Sequence, residues 1–394
     1  VILPITFPLL ILSIGFERLG RKPAAKEASL NEKYLLNSSS FIERKHCIVL
    51  FPTNGVGFGH FTRLYAVAKQ LRESDPNLEI IFFTPMPTLH ILNADGFPTY
   101  HLSGRHKHSK MKANTWNMLV EEMLTLIFET HEPKWFMFDG AFPYRGMLNA
   151  IYQQPGMKKY WMRRGSHNKR KKIPIDSIGF FDHIIHPEDA VPFTKDELEG
   201  TVSTHQVAPI SLTMPVEMWS REKARHQLGV SMDSKVVYVQ LGAGQINDIN
   251  SEVRIIVDAL LEHDDVHVVL GESMLGERLD IVLERVNVLR DYPNALYFNA
   301  FDAAVQAGGY NSFHEMRMMR LPTMFCPNQE TGMDNQLSRC EVAEKEGWGV
   351  VANLKQIEDI SNKINTILSM NRDTPISVQN GAIEVSSLVL QTVE

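Results

Sequence analysis

Cysteine is scarce in this sequence, a strong net charge is missing, and so is an apolar run long enough to span a membrane. Cys47, Cys326 and Cys340 stand far apart in none of the spacings that hold zinc, which excludes a disulfide framework and indicates a reducing compartment. The histidines form no HExxH motif. The formal net charge of −6 provides no global attraction for nucleic acid. We therefore expect no metal site and no nucleic-acid partner.

The first residues are nevertheless strongly apolar. Residues 1–16 contain only apolar and small side chains apart from Thr6 and Ser13, and Glu17, Arg18 and Lys22 follow. This run falls short of the roughly 20 residues that a helix needs to cross a bilayer. Two interpretations stay open. The run either continues upstream as a membrane span, which would leave the main body in the cytoplasm, or forms a peripheral arm on the fold or the membrane surface.

From residue 46 onward, short apolar runs alternate with segments of helical periodicity. Runs of this kind are typical of parallel strands buried on both faces, so the sequence predicts an α/β protein with two Rossmann-like, doubly wound domains facing across a cleft. The expected parts are an arm and linker at 1–45, domains at 46–208 and 209–375, and a C-terminal helix at 376–394 that packs back on the first domain. A clear amphipathic helix covers 115–131, and strands are expected at 47–51, 79–83, 135–138, 159–162, 183–186, 236–241, 266–270, 295–298, 303–305, 323–325 and 349–351.

A glycine-rich turn follows the first predicted strand and leads into a helix. Gly55, Gly57 and Gly59 would let the backbone turn tightly, which is their simplest role. His60 stands at the helix start, where the positive helix end disfavours imidazolium, so we expect a neutral base; capping or packing is the alternative. Asp139 ends a later strand, where it either caps the next turn or orients His60 as in a His-Asp dyad.

Two glycine turns in the second half are expected to face an anion with their backbone amides, helped by the helices that follow. They are formed by Gly242, Ala243, Gly244 and Gln245, and by Gly308, Gly309, Tyr310, Asn311 and Ser312.

The stretch 301–336 carries further polar residues in an order that suits a diphosphate-sugar site. Glu315 follows Ser312 at the capping-box spacing, so it either caps the helix or accepts the hydroxyls of a ribose. Asp334, Asn335 and Gln336 close the stretch and would hold a sugar. Amides for phosphate, an acid for ribose and a polar group for hexose together predict the donor site here.

Basic clusters occur at 105–112 and 163–172. They lack the interleaved aromatic residues of single-stranded nucleic-acid sites. They are either solvated loops or attract an anionic membrane or a phosphate-bearing acceptor, with Arg105, Arg163 and Arg164 as the candidate residues.

The motifs themselves resemble a known family. The run AGGYNSFHEMRMMRLPTMFCPN at 307–328, the MDNQ that follows at 333–336, and the glycines before His60 resemble the GT-B glycosyltransferases of family 28. That group includes the lipid II-forming N-acetylglucosaminyltransferase and the monogalactosyldiacylglycerol synthases. The resemblance spans roughly residues 46–370, but the loop at 328–333 and the first half depart from the lipid II enzyme.

The resemblance implies roles for the motifs. Residues 242–245 and 308–312 would lie at the donor diphosphate, Glu315 at the ribose, and Asp334 and Gln336 at the hexose. His60 would be the base. Such enzymes invert the anomeric centre and require no bound metal or other cofactor. The expected partners are a UDP-sugar donor and a lipid-linked or glycan acceptor, at the cytoplasmic face of a membrane.

Two other functions stay open at this point. A nucleotide-sugar 2-epimerase shares the two-domain fold, and it would need no acceptor. A non-catalytic partner of another transferase would bind nucleotide-sugar without turnover, although His60 and Asp139 weigh against that role.

Overall fold

In the computed structural model, residues 45–394 form one compact unit. The structure describes residues 46–53, 57–87, 89–105, 111–164, 175–192, 200–242, 249–273, 281–328, 334–376 and 378–392. The predicted apolar arm therefore lies outside the described residues.

The first half of this unit is built on a fully parallel seven-stranded sheet of order β3-β2-β1-β4-β5-β6-β7. Its strands are β1 (Cys47–Pro52), β2 (Glu79–Thr84), β3 (Thr99–His101), β4 (Trp135–Asp139), β5 (Lys158–Met162), β6 (His183–Pro187) and β7 (Ser203–Val207). The connecting helices are α1 (Gly59–Ser74), α2 (Leu89–Ala94), α3 (Ala113–His131) and α4 (Arg145–Tyr152), with a 3₁₀ helix at Ile175–Phe180.

The second half repeats this arrangement with a parallel six-stranded sheet of order β10-β9-β8-β11-β12-β13. Its strands are β8 (Lys235–Gln240), β9 (Val266–Gly271), β10 (Val286–Leu289), β11 (Ala303–Gln306), β12 (Thr323–Phe325) and β13 (Gly349–Val351). Its helices are α5 (Arg221–Leu228), α6 (Ile249–Leu261), α7 (Tyr310–Met319), α8 (Gln336–Lys345) and α9 (Ile357–Ser369), with 3₁₀ turns at Pro215–Glu217 and Asn294–Ala300.

Strand β1 shows why the sheets are covered on both faces. Its side chains point alternately to opposite sides of the sheet, and both sets are apolar. Leu50 packs in one core cluster with Leu64 of α1, whereas Val49 packs in another with Leu124 of α3. The predicted α/β fold with two Rossmann-like domains is confirmed.

The last helix, α10 (Gly381–Gln391), lies against α1 and β7 of the first half. Val385 and Val389 belong to the same core cluster as Leu64, and the indole of Trp135 donates to Thr392 Oγ1 over 3.1 Å. The domain limits at residues 46, 209 and 376 stay predictions.

One predicted strand is wrong. Residues 295–298 lie in the 3₁₀ helix Asn294–Ala300. Ala295, Tyr297 and Phe298 are buried in this 3₁₀ helix, so the apolar run leaves solvent without joining a sheet. The positions beside β8 are already taken by β9 and β11. Strands β3, β7 and β10 were not expected, because their side chains are mostly half-buried or exposed and their sequences are polar or short.

Within the described ranges, none of the helices combines the length and apolar character needed to cross a bilayer.

Candidate active site

Both sheets reverse their strand order at their centres, and several of the predicted site residues lie there. In the first sheet the reversal separates β1 from β4, and Pro52 stands opposite Asp139 at the last register position. In the second it separates β8 from β11, where Gln240 pairs with Gln306. Crevices beyond the carboxyl ends of parallel strands at such points are the usual ligand sites of open α/β sheets.

His60 and Asp139 meet at the first of these points. His60 is the second residue of α1, and its Nδ1 lies 2.6 Å from Asp139 Oδ1. Arg63 Nη2 also lies 2.9 Å from this Nδ1, but it donates to Asp139 Oδ1 over 2.7 Å. Because the carboxylate oxygen only accepts, Nδ1 carries the proton of the bond to Asp139 and Nε2 keeps its lone pair. The arrangement is that of a dyad in which Asp139 fixes the tautomer and orientation of His60.

Arg63 completes this constellation. It lies one turn after His60 on α1 and donates to both oxygens of Asp139, from Nε to Oδ2 over 2.9 Å and from Nη2 to Oδ1 over 2.7 Å. Both side chains are almost wholly buried, with 2% of Arg63 and 1% of Asp139 exposed. A buried carboxylate needs a fixed countercharge, and this bidentate pair supplies it.

The pKa directions follow from this geometry. Burial works to raise the pKa of Asp139, but Arg63 and His60 outweigh it and hold the pKa below the ordinary value. Burial lowers the pKa of His60 despite the opposing charge of Asp139, and Arg63 and Arg164 lower it further. At neutral pH, His60 is therefore neutral beside an ionised Asp139, which is the state a general base requires.

The second half contributes helix α7 with a glycine turn before it. Gly308 has a φ of +77°, and a Cβ there would collide with Cys340 Sγ, so both backbone and space demand glycine. Gly309 is the N-cap of α7. The first amides of a helix have no intrahelical partner, so those of Tyr310, Asn311 and Ser312 can face an anion.

The capping box expected at Ser312 and Glu315 is not formed. The N-cap is Gly309, three residues before Ser312, and it makes no side-chain capping bond. Ser312 is thus already inside the first turn, and its hydroxyl donates to the Gly309 carbonyl over 3.2 Å.

Glu315 is free of that capping role. It is half-buried, and burial raises the pKa of its carboxyl to about 7. Burial raises the pKa of Tyr238 on β8 and of Tyr292, and the charge of Glu315 adds to both rises.

Asp334, Asn335 and Gln336 already have protein partners. Asp334 Oδ1 accepts from Arg339 over 2.7 Å and from Arg164 over 3.4 Å. Asn335 is the N-cap of α8 and accepts from the Ser338 amide. Gln336 Oε1 accepts from the Asn328 amide over 2.9 Å. The predicted hexose contacts of these residues stay predictions.

A buried ion network joins the two halves beside this site. Arg339 of α8 donates to Asp189 of the first half from Nε over 2.8 Å and from Nη2 over 2.7 Å. Burial works to raise the pKa of Asp189, but Arg339 and His314 hold it well below the ordinary value. Tyr310 donates to the Glu188 carbonyl over 2.6 Å. These bonds fix α7 and α8 against the end of β6.

A second link runs through Asn311. Its Oδ1 accepts from Arg63 Nη1 and its Nδ2 donates to the Gly59 carbonyl, each over 3.4 Å. The helix that carries Glu315 therefore contacts the helix that carries His60.

The remaining predicted residues fall into three groups. Gly57 and Gly59 lie before and at the start of α1, where a Cβ would meet nothing closer than 3.7 Å, so neither position requires glycine for space. Gly242 stands two residues after β8 with a φ of +110°, a backbone conformation that favours glycine. Gly55, Ala243, Gly244 and Gln245 lie outside the described residues.

The arginines expected on the surface differ from one another. Arg105 is exposed, but Arg163 is buried beside the Trp161 ring, 5.4 Å from its centroid, and is not the surface group expected. The segment directly after β5 stays in the interior here, because the Arg163 amide donates to the Ile185 carbonyl of β6. Arg164 faces the cleft and pairs with Asp334.

The sequence prediction missed Arg63, Asp189 and Arg339. Arg63 stands three residues after His60, which places the two on one helical face, so a local signal existed. Asp189 and Arg339 are separated by 150 positions, and no local pattern joins them.

No family model matches this sequence, and no curated protein matches it. Solved structures do match in fold. MurG of Acinetobacter baumannii is 12% identical with a TM-score of 0.56, over 88% of this chain and 100% of that one. The UDP-GlcNAc 2-epimerase of Methanocaldococcus jannaschii is 12% identical with a TM-score of 0.61, over 88% and 99%. The spinosyn rhamnosyltransferase SpnG, complexed with thymidine diphosphate, is 12% identical with a TM-score of 0.53, over 88% and 95%.

These similarities define the architecture of the chain. It has the GT-B fold, which glycosyltransferases and a nucleotide-sugar epimerase share. Identities near 12% carry the fold alone. The chemistry must be argued from the site.

Proposed function

We propose that this protein is an inverting glycosyltransferase that moves a hexose or N-acetylhexosamine from a nucleotide-sugar to an acceptor hydroxyl. The observation that carries the proposal is the neutral His60, whose Nδ1–H is held by the ionised Asp139. Its Nε2 is left with a lone pair at the crevice where the two sheets present their carboxyl ends. The structural neighbours include transferases of nucleotide-linked sugars, which is consistent with this site.

The donor would bind to the second half. Backbone amides at the start of α7 would hold the diphosphate, and Glu315 would accept the hydroxyls of the ribose. We propose a UDP-sugar as donor. SpnG, with the same fold, is complexed with thymidine diphosphate, so the base must be tested directly.

The reaction follows from these positions. Nε2 of His60 takes the proton of the acceptor hydroxyl while its oxygen forms a bond to C1 of the sugar. The bond from C1 to the diphosphate breaks on the opposite face, and its electron pair leaves with the nucleoside diphosphate. The amides of α7 stabilise that charge. Asp139 stabilises the imidazolium. No step requires a metal.

The acceptor is proposed as a lipid-linked or other glycan at the cytoplasmic face of a membrane. Arg105 and Arg164 are its candidate contacts in the first half. A role in polysaccharide or glycolipid synthesis, with peripheral membrane association, belongs to the same proposal.

Donor binding is the first test. Thermal shifts with UDP, thymidine diphosphate and GDP should single out one base, and nucleotide-sugars of that base should then identify the sugar. Glu315→Ala should abolish the shift, whereas Glu358→Ala, an exposed acid of α9, should retain it. An unchanged shift in Glu315→Ala contradicts the donor assignment.

Turnover is the second test. His60→Ala should bind donor normally but lose transfer by at least about 10²-fold, the usual contribution of a general base. His226→Ala, an exposed histidine of α5, is the matched control. Equal activity in both variants contradicts the role of His60.

The epimerase with the same fold gives a specific reason for a second candidate. Incubation with UDP-N-acetylglucosamine and no acceptor distinguishes the two activities. Formation of the 2-epimer would replace the transferase proposal, and nucleotide release that depends on an acceptor would support it.

A further inference from the structure

Three side chains with the chemistry of metal ligands meet at the opposite edge of the first sheet from His60. Cys47 is the first residue of β1, Glu79 is the first residue of β2, and His131 is the last residue of α3. The thiol sulfur, a carboxylate oxygen and a ring nitrogen all lie within 4.8 Å of one another. We propose that these three residues bind one zinc ion.

The fold rather than the sequence creates this cluster. Strands β1 and β2 are parallel neighbours, and Cys47 stands directly opposite Glu79 in their register. Residues in register on adjacent strands project from the same face of the sheet. Helix α3 covers that face and ends where β4 begins, and the Lys134 amide bonds the Cys47 carbonyl over 2.9 Å. This bond brings the end of α3 to the start of β1.

The donor set matches zinc. Zinc accepts thiolate, imidazole and carboxylate ligands at about 2.3, 2.0 and 2.0 to 2.2 Å in a tetrahedral arrangement. Such bonds require the ligand atoms to stand roughly 3.3 to 3.7 Å apart, so small side-chain rotations bring this cluster onto the ion. Hard cations such as magnesium and calcium prefer oxygen ligands and do not suit a thiolate.

The imidazole is already oriented for this role. His131 Nδ1 faces Glu79 Oε2 at 3.2 Å, and His131 Nε2 lies 2.9 Å from the Tyr100 hydroxyl. Histidines that bind metal commonly hold their second nitrogen in a hydrogen bond, which fixes the ring. When His131 Nε2 donates to the Tyr100 hydroxyl, Tyr100 fixes the ring and Nδ1 is the metal ligand.

Burial and charge also fit. Cys47 is 3% exposed, and the side chains of His131 and Glu79 are 15% and 18% exposed. One thiolate, one carboxylate and one neutral imidazole balance the two charges of zinc, so the partly buried site is neutral. Binding releases the thiol proton of Cys47 to solvent, and affinity should therefore rise with pH. The partial exposure leaves room for a water as fourth ligand.

The site is remote from the proposed chemistry. Cys47 and Asp139 lie at opposite ends of the adjacent strands β1 and β4, roughly 16 Å apart at 3.3 Å per residue. The ion would link β1, β2 and α3. The proposal does not depend on the proposed function.

Metal titration of the full chain tests the proposal. Protein stripped with a chelator should bind one equivalent of zinc, and the melting temperature should rise by about 3 to 6 °C at saturating metal. Cobalt(II) should give a thiolate charge-transfer band together with the visible absorption of a tetrahedral site. Absence of both zinc binding and the cobalt band would overturn the proposal.

Matched variants assign the ligands. Cys47→Ser should abolish the cobalt thiolate band, and Glu79→Gln and His131→Gln should each lower zinc affinity at least about 10-fold. Cys326→Ala, a buried cysteine elsewhere, should leave the band unchanged. Each variant is first shown to be folded by circular dichroism without metal.

One other pair of histidines could compete for zinc, and a variant of it serves as a further control. His183 Nδ1 and His205 Nε2 lie 3.1 Å apart on β6 and β7 and could hold zinc by themselves. Zinc that persists in Cys47→Ser and is lost in His183→Gln would overturn the assignment to Cys47, Glu79 and His131.

Discussion

Two carboxyl groups of the candidate site have pKa values that shift in opposite directions. Asp139 in the first half and Glu315 in the second both experience burial that raises the pKa. Asp139 also receives two hydrogen bonds from Arg63, and its pKa ends below the ordinary value. The pKa of Glu315 rises to about 7 through burial alone. A guanidinium decides which of the two is firmly ionised.

The difference suits the two proposed roles. Asp139 must stay ionised through the catalytic cycle, because it orients His60 and stabilises its imidazolium. Glu315 has only to accept ribose hydroxyls once the donor covers it. Three substitutions test this comparison: one removes the charge of Asp139, one its countercharge Arg63, and one the carboxyl of Glu315.

Removing the charge of Asp139 should have the largest effect. Asp139→Asn leaves Arg63 buried without its partner and allows His60 the wrong tautomer, so we expect transfer to fall about 10³- to 10⁴-fold. The free energy of unfolding should also fall by about 3 to 5 kcal/mol. Steady-state kinetics and urea unfolding measure the two losses, with exposed Asp373→Asn as the control. Retained activity in Asp139→Asn would remove Asp139 from the mechanism.

Removing the countercharge should make Asp139 resemble Glu315. In the native protein the pKa of Asp139 is below its unfolded value, so its contribution to stability is present above about pH 4 and is lost as the pH falls through the folded pKa. Arg63→Gln should raise that pKa above the unfolded value, because burial is then opposed by His60 alone. The variant should lose about 3 kcal/mol at pH 7 and regain part of it as the pH falls towards 4.

Urea unfolding of Arg63→Gln from pH 4 to pH 8 checks the reversed slope. Arg72→Gln serves as the control, because Arg72 lies on the same helix away from Asp139. A pH dependence identical to that of the native protein would show that Arg63 does not control the ionisation of Asp139.

Replacing the second carboxyl should stabilise the protein and weaken donor binding. The pKa of Glu315 is raised, so its favourable contribution is present below about pH 4.5 and is lost as the pH rises through about 7. Glu315→Gln removes that loss and should add about 2 kcal/mol at pH 8. Donor affinity should fall about 10-fold or more, because hydrogen bonds to a charged acceptor are lost. Differential scanning calorimetry and titration calorimetry give the two signs, and a variant that is less stable at pH 8 contradicts the buried-charge account.

The pH dependence of donor binding should show the smallest effect. Affinity should decline by up to about 10-fold per unit below pH 7, because the protonated Glu315 is a poorer acceptor for ribose. Titration calorimetry from pH 5.5 to 8 measures it, and Glu315→Gln should be flat over this range. A native profile that is equally flat would separate Glu315 from the ribose.

Parts of the site could be predicted from local patterns. The sequence places His60 at a helix start after a strand and Asp139 at the end of a buried strand, because the periodicity of strands and helices is visible in neighbouring residues. The capping box is not formed, although the spacing of Ser312 and Glu315 fits one. Gly309 is the N-cap instead, so the helix begins three residues earlier.

Other parts depended on distant pairing. The contacts of Arg339 with Asp189, and of Asn311 with Gly59 and Arg63, join residues from the two halves of the molecule. The cluster of Cys47, Glu79 and His131 likewise depends on the register of β1 with β2 and on where α3 ends. In the sequence the spacing of Cys47 argued against a metal site, since sequence spacing reports only ligands on one local segment.

The sequence by itself determined the α/β class, the two-domain plan, the position of His60 at a helix start and that of Asp139 at a strand end, because these follow from local periodicity and turn chemistry. Only the tertiary structure decided which carboxyl is paired with arginine and which is not. Ionisation depends on burial and on charges a few ångströms away, and those neighbours come from segments far apart in the chain.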